Sequence, residues 1–237
     1  MKQTWVKRLG RPHALLFFAG WAMDERPFRR LGTGRYDVCV CYDYRGLAPG
    51  LLEPLSPGAI YHEHDVAVNA LLALGDAYEK ITVVGWSFGC AAAAHVMAGA
   101  RWRVREALAI NGTVVPEHEE LGIPGRWLDA TARNMLHGGW PKFVHRMCSA
   151  TAARQDFQAH CPQRDLAGSV AELEELRRLS PPTVCGFSRA LVGSEDKIIL
   201  PRNQRCCWEK YGIAARTITA PHYPFHLWES WEDVLDA

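Results

Sequence analysis

The chain of 237 residues has no apolar run near the ~18–20 residues that a membrane-spanning helix requires. The best candidate, Ala14-Leu15-Leu16-Phe17-Phe18-Ala19, is far too short. Lys7, Arg8 and Arg11 precede it, as in a signal peptide, but Arg26, Arg29 and Arg30 follow without a small-residue cleavage site. The run therefore reads as a core strand. An excess of one charge is also missing. Lys and Arg number 27 against 26 Asp and Glu, a net charge of +1, which excludes a global pull toward nucleic acid or an anionic membrane. Low-complexity tracts and internal repeats are absent, and a hydrophobic fraction of 48% excludes intrinsic disorder. The eight cysteines contain no C-x-x-C pair, so no common zinc spacing is present and no metal is expected. In a chain that is neither short nor evidently secreted, they read as buried, reduced thiols of a cytoplasmic protein.

What is present is an alternation of short apolar strands and helices. Strands are expected at Ala14–Phe18, Tyr36–Tyr42, Lys80–Val84, Val104–Ile110, Ser188–Val192 and Ala214–Thr219. Helices are expected at His62–Leu74, Phe88–Met97, Pro201–Tyr211 and His226–Leu235. Repeated strand–helix units of this kind imply an α/β fold, a mostly parallel sheet with helices on both faces. Between residues 113 and 180 the β-branched runs disappear and helical patches appear at Arg126–Leu136, Pro141–Met147 and Ser169–Leu179. This block reads as a small helical lid inserted into one domain spanning residues 1–237.

Gly85-Trp86-Ser87-Phe88-Gly89 is a G-x-S-x-G between the strand Ile81-Thr82-Val83-Val84 and an alanine-rich helix. A serine on such a turn is pushed out above the sheet, and the helix N-terminus aims free N–H groups at a developing oxyanion. Ser87 is therefore the candidate nucleophile. A nucleophilic serine needs a base and an orienting acid, which follow it in that reverse order in the chain. Glu195 and Asp196 both lie in the loop after a late strand. His222 lies in the loop after the last strand, where the base belongs, while His226 lies at the expected start of the final helix. The loop Phe18-Ala19-Gly20-Trp21 after the first strand is placed to supply a second oxyanion N–H, so the backbone N–H groups of Trp21 and Phe88 are the candidates.

Together the elbow, the Ala19-Gly20-Trp21 loop and the late Asp and His resemble the α/β-hydrolase superfamily. More narrowly, the chain resembles BioG-type pimeloyl-acyl-carrier-protein methyl ester esterases. The resemblance rests on Phe18-Ala19-Gly20-Trp21, Cys41-Tyr42-Asp43-Tyr44, Trp86-Ser87-Phe88-Gly89, Asp196-Lys197-Ile198 and His222-Tyr223. Ile110-Asn111-Gly112-Thr113 and Gly122-Ile123-Pro124 are its more discriminating parts. The resemblance favours Asp196 over Glu195 as the acid. It implies hydrolysis of pimeloyl-ACP methyl ester to pimeloyl-ACP and methanol in biotin synthesis, with no cofactor. A broader carboxylesterase, thioesterase or acyltransferase with the same triad is the alternative. A non-catalytic binding module is disfavoured by the complete triad.

An acyl carrier protein is acidic, so the implied partner calls for basic residues near the site. Residues 126–164 hold Arg126, Arg133, Lys142, Arg146, Arg154 and Arg164 against Asp129 and Asp156. Of these, Arg126, Arg133, Lys142, Arg146 and Arg154 are the candidates for carrier binding. Trp140 and Phe143 are candidates for substrate contact, with Trp127, Leu128 and Leu136 also expected beneath the lid.

Overall fold

A computed structural model describes residues 1–47 and 69–237. Among these described residues seven strands form one sheet: β1 (Lys2–Lys7), β2 (His13–Phe18), β3 (Asp37–Tyr42), β4 (Lys80–Trp86), β5 (Val104–Ile110), β6 (Arg189–Gly193) and β7 (Ala215–Ile218). Their order is β1-β3-β2-β4-β5-β6-β7. Only β1 is antiparallel, pairing with β3; the remaining pairs are parallel. β2 and β4 are buried nearly end to end, which explains their continuous apolar sequences, since helices cover both faces of a parallel sheet.

β1 was not expected from the sequence. Lys-Gln-Thr-Trp-Val-Lys is only half-buried, as an edge strand with charged ends is, so it has no apolar run to announce it. The expected helix at His62–Leu74 falls largely outside the described residues, which resume at Asn69 in helical conformation and include the turn Leu74–Ala77.

After β4 comes α1 (Gly89–Gly99), whose Cys-Ala-Ala-Ala-Ala face is buried. Small side chains let it lie close on the sheet. Gly89 shows how close: a Cβ there would collide with the carbonyl oxygen of Phe18. Between β5 and β6 run four helices, α2 (Gly125–Leu136), α3 (Trp140–Met147), α4 (Thr151–Ala159) and α5 (Leu166–Leu176). The helix α4 was not expected; its sequence is mostly polar, with Ala153 and Phe157 its only buried residues. The chain ends with α6 (Pro201–Lys210) and α7 (Trp231–Asp236), the latter begun by a capping box of Ser230 and Asp233. His226 does not begin that helix; it sits in the short 3-10 turn Phe225–Leu227 ahead of it.

The strand order places the site. β2 has β3 on one side and β4 on the other, so the chain's winding direction reverses between β2 and β4. Loops leaving the C-terminal ends of such neighbours diverge and open a crevice. One of those loops carries Trp21, and the other carries Ser87. Among the described residues, no helix is long and apolar enough to cross a membrane. Of the cysteines, all free, six are buried but Cys161 and Cys206 are exposed.

Candidate active site

Ser87 follows β4 with φ of 58°, a left-handed conformation that few non-glycine residues adopt. Its neighbours make the turn feasible. A Cβ on Gly85 would lie 2.9 Å from the Cα of Cys90. The Ser87 N–H donates to Ile110 O at 3.0 Å, so the elbow is pinned to the end of β5. The strain is concentrated where the hydroxyl must be presented.

His222 Nε2 lies 2.9 Å from Ser87 Oγ, and His222 Nδ1 lies 2.7 Å from Asp196 Oδ2. All three residues are buried. Asp196 accepts further N–H groups: Ile198 and Ile199 at Oδ1 (2.8 and 3.0 Å) and Gln204 Nε2 at Oδ2 (2.8 Å). With His222 Nδ1, four nitrogens converge on this one buried carboxyl. The competing Glu195 is exposed. Trp86 Nε1 donates to the backbone oxygen of His222 at 2.8 Å, and its ring centroid lies 5.4 Å from the imidazole. His226 is half-buried and not part of this chain of bonds.

The loop after β2 comes within contact of the elbow. A Cβ on Gly20 would lie 3.0 Å from the Trp86 ring and 3.2 Å from Ser87 Cβ. Trp21 and Phe88 both line the cavity above Ser87, and among the described residues neither backbone N–H donates to a neighbouring loop. The loop is held from behind. Trp21 Nε1 donates to Ser169 O at 2.5 Å, and Tyr44 Oη donates to Ala19 O at 2.7 Å. Glu172, fully buried on α5, accepts the N–H of Ala22 at 3.3 Å and that of Tyr44 at 3.0 Å. Burial pushes the Glu172 carboxyl up to about 7, against the opposing pull of Arg164 and these N–H donors. Nothing in the polar Ala-Glu-Leu-Glu-Glu stretch marks Glu172 as different from its solvated neighbours.

The cavity above Ser87 is narrow, with about 30 Å³ of free space, and opens toward solvent. Ile123, Trp127, Leu128, Phe143, Met147 and Ile198 form apolar walls, and among the described residues Arg146 is the one Lys or Arg that lines it. Arg146 also donates to Lys197 O at 2.7 Å. A neighbouring groove is lined by Lys142, Phe143 and Arg146 from α3 and by Thr131 and Asn134 from α2.

The remaining residues expected at the substrate or carrier surface are dispersed. Trp140 does not line the cavity; it stacks on Phe143 (centroids 5.8 Å apart) and faces a small separate pocket. Leu136, expected beneath these helices, is exposed. Arg126 is exposed and 3.4 Å from Glu119, Arg133 is exposed, and Arg154 is half-buried. Arg164 is buried between Asp43 (3.1 Å) and Glu172 (3.2 Å) and so does not belong to the basic surface. Among the described residues, no cluster of three or more His, Cys, Asp or Glu is arranged to hold a metal.

Comparison with known proteins agrees with this fold. A family model described as pimeloyl-ACP methyl esterase BioG matches residues 59–234. A malonyl-(acyl-carrier protein) O-methyltransferase of Bacteroides fragilis is 34% identical over 216 residues, 90% of this chain but only 40% of that protein. The chain therefore spans about two fifths of that relative's length. The crystal structure of BioG from Haemophilus influenzae superposes with a TM-score of 0.78 at 27% identity, covering 98% of this chain and 99% of that one. A carboxylesterase structure from Nitrososphaera gargenis, at 15% identity and a TM-score of 0.64, covers 99% of this chain and 90% of that one and shares the α/β-hydrolase fold.

Proposed function

The chain belongs to the pimeloyl-ACP methyl esterase BioG family of carboxylic ester hydrolases, and on that premise we propose that Ser87, His222 and Asp196 hydrolyse the methyl ester of pimeloyl-ACP methyl ester in biotin synthesis. The observation that carries this reading is the hydrogen-bonded series Asp196–His222–Ser87 on the floor of an apolar cavity.

Ser87 Oγ attacks the ester carbonyl as His222 Nε2 takes its proton. Asp196, held by its four donors, orients the imidazole and stabilises its charged form. The N–H groups of Trp21 and Phe88 receive the oxyanion. The tetrahedral intermediate collapses, and the imidazolium returns the proton to the departing methoxide, which leaves as methanol. Water then enters, His222 takes its proton, and the hydroxide attacks the acyl carbonyl. Collapse breaks the bond to Ser87 Oγ, the imidazolium returns its proton to that oxygen, and the free carboxyl end of the pimeloyl group departs. None of these steps calls on a cofactor.

The helices α2 to α5 act as a lid in this reading and receive the carrier protein. Lys142 and Arg146, on the groove that adjoins the cavity, are best placed to meet its acidic surface. Arg126, Arg133 and Arg154 would contribute at longer range. A chain of free cysteines without a membrane-crossing helix among its described residues fits the cytoplasm, where we place the reaction.

The test is incubation of the purified protein with pimeloyl-ACP methyl ester, read by mass spectrometry, with Ser87→Ala alongside. A mass decrease equal to one CH₂, as methoxy is replaced by hydroxyl, is expected with the thioester intact and is abolished in the variant. Turnover of p-nitrophenyl esters without demethylation would retain the triad and remove the carrier-linked substrate.

A further inference from the structure

Asn111-Gly112 sits just past β5 in one of the more discriminating stretches of the sequence, and nothing in the mechanism above uses it. Asn111 is fully buried and has φ of 44°. Its own N–H donates to Leu191 O at 3.0 Å, on β6. Its side chain reaches two other segments. Oδ1 accepts the N–H of Gly193 at 2.5 Å, at the end of the strand that leads into Asp196. Nδ2 donates to Pro221 O at 2.8 Å and to His222 O at 3.1 Å. Both amide hydrogens are used, and the polarity of the partners fixes which way the amide points.

The contacts converge on the triad from behind. A Cβ on Gly112 would collide with Ser87 O and Cys90 Sγ and lie 2.9 Å from Ser87 N. A Cβ on Gly193 would lie 2.6 Å from Ala220 O and 2.9 Å from Asn111 Oδ1. The Asn-Gly pair is therefore wedged between the serine turn, the acid loop and the base loop. Asn111 is the one described side chain that bonds the backbone of both the acid and the base segments.

We propose that Asn111 is a positioning residue that sets the Asp196–His222–Ser87 spacing by clamping Gly193 and His222 through their backbones. The proposal rests on the triad reading given above. Other side-chain types of this size lack the paired donors and the acceptor together. Aspartate has the same shape but turns a carboxylate oxygen toward two carbonyl oxygens, which repels the base loop where asparagine holds it. Misplacement of reacting groups by about 1 Å costs on the order of 10² in rate.

The experiment compares Asn111→Asp, Asn111→Ala and Ser87→Ala with the parent on p-nitrophenyl butyrate. Thermal melts verify folding, and a fluorophosphonate burst counts active sites. In the aspartate variant, kcat per active site is expected to fall about 10–100-fold with KM nearly unchanged. The alanine variant, which adds no charge, falls less. The downfield NMR resonance of the proton between His222 and Asp196 is expected to move in both, a signature that mere loss of stability does not produce. Parent-like kcat per site and an unmoved resonance in both folded variants would overturn the proposal. So would failure of both to fold, since Asn111 would then serve stability alone. If Ser87→Ala keeps its turnover, the triad reading itself falls; if only the Asn111 variants are unaffected, the triad stands and this proposal falls.

Discussion

Glu172 on α5 accepts the N–H of Ala22 across 150 residues of sequence, so the loop that carries Trp21 hangs from a helix inserted between β5 and β6. Ala22 has φ of 63°, a conformation that needs such outside support. The same carboxylate holds Tyr44 N–H and Arg164, so three elements of the site meet at one buried side chain.

That arrangement predicts an unusual pH dependence. The Glu172 carboxyl is raised from 4.5 to about 7 by burial. A raised carboxyl contributes stability that is complete below about pH 4.5 and is lost as pH rises through about 7. Glu172→Gln removes the titration while keeping an acceptor. The parent is therefore expected to lose stability relative to Glu172→Gln between pH 5 and 8, by on the order of 3 kcal/mol or less. Melting temperatures of the two proteins across that range measure it, and a constant difference would refute it. Glu172→Ala, which leaves Arg164 and two N–H groups unpaired in the interior, is expected to cost about 3–5 kcal/mol.

The acid assignment can be tested against its neighbour. Asp196→Asn presents an NH₂ group among donors and disturbs the imidazole tautomer, so kcat/KM is expected to fall about 10³–10⁴-fold. Ser87→Ala is expected to lose on the order of 10⁴–10⁶. Glu195→Gln, at an exposed position, is expected to stay within about twofold of the parent, as neutral surface changes do. Steady-state kinetics on a p-nitrophenyl ester settles the three together, and equal losses at Asp196 and Glu195 would contradict the geometry.

Carrier recognition gives a salt-sensitive prediction. Lys142 is exposed on the groove beside the cavity. Reversing its charge is expected to raise KM for pimeloyl-ACP methyl ester about 3–10-fold at low salt, with the gap closing at high salt, where surface charges are screened. Hydrolysis of p-nitrophenyl esters is expected to be unaffected. Arg126→Glu is expected to act more weakly, because Arg126 lies outside the groove near Glu119. Equal effects on carrier-linked and small esters would place Lys142 in the cavity's chemistry instead.

The parts legible in the sequence were those with a local signature. Continuous apolar strands such as Leu15–Phe18 and Ile81–Val84 are read directly because parallel strands are buried on both faces. Ser87 was legible because the elbow packs its constraints into five residues. His222 was found by chain order, and Asp196 by chain order with the family resemblance that favoured it over Glu195; His222 lies within hydrogen-bonding distance of both Asp196 and Ser87. What escaped was set by distant packing. β1 is an edge strand with a polar sequence, and α4 buries just two side chains. Glu172 and Arg164 look like ordinary solvated residues, yet tertiary contacts bury both. Six cations close in sequence suggested one basic surface, but the loop between α4 and α5 carries Arg164 inward, and of the six Lys142 and Arg146 line the groove.

The loop that carries His222, like the loop that carries Trp21, is tied to the helices between β5 and β6. Tyr223, next to His222, donates its N–H to Met147 O at 3.0 Å and its Oη–H to Asp156 Oδ2 at 2.8 Å. Asp156 also pairs with Arg30 at 2.6 Å, and Arg30 donates to Trp228 O and Phe225 O further along the loop. Burial, with Asp156 adding to it, holds the Tyr223 phenol in its protonated form. Tyr223→Phe removes one neutral donor from Asp156 and leaves the Arg30 pair intact, so it is expected to cost about 1–2 kcal/mol. Asp156→Ala strands both the phenol and the guanidinium and is expected to cost more, roughly 2–4 kcal/mol. Because Arg30 still reaches two loop carbonyls in both variants, the His222 position survives and kcat on p-nitrophenyl esters is expected to change less than about threefold. Urea melts and steady-state kinetics on the same preparations check the pair. A large fall in kcat with little loss of stability in Tyr223→Phe would mean that the phenol tunes the base rather than fastening its loop.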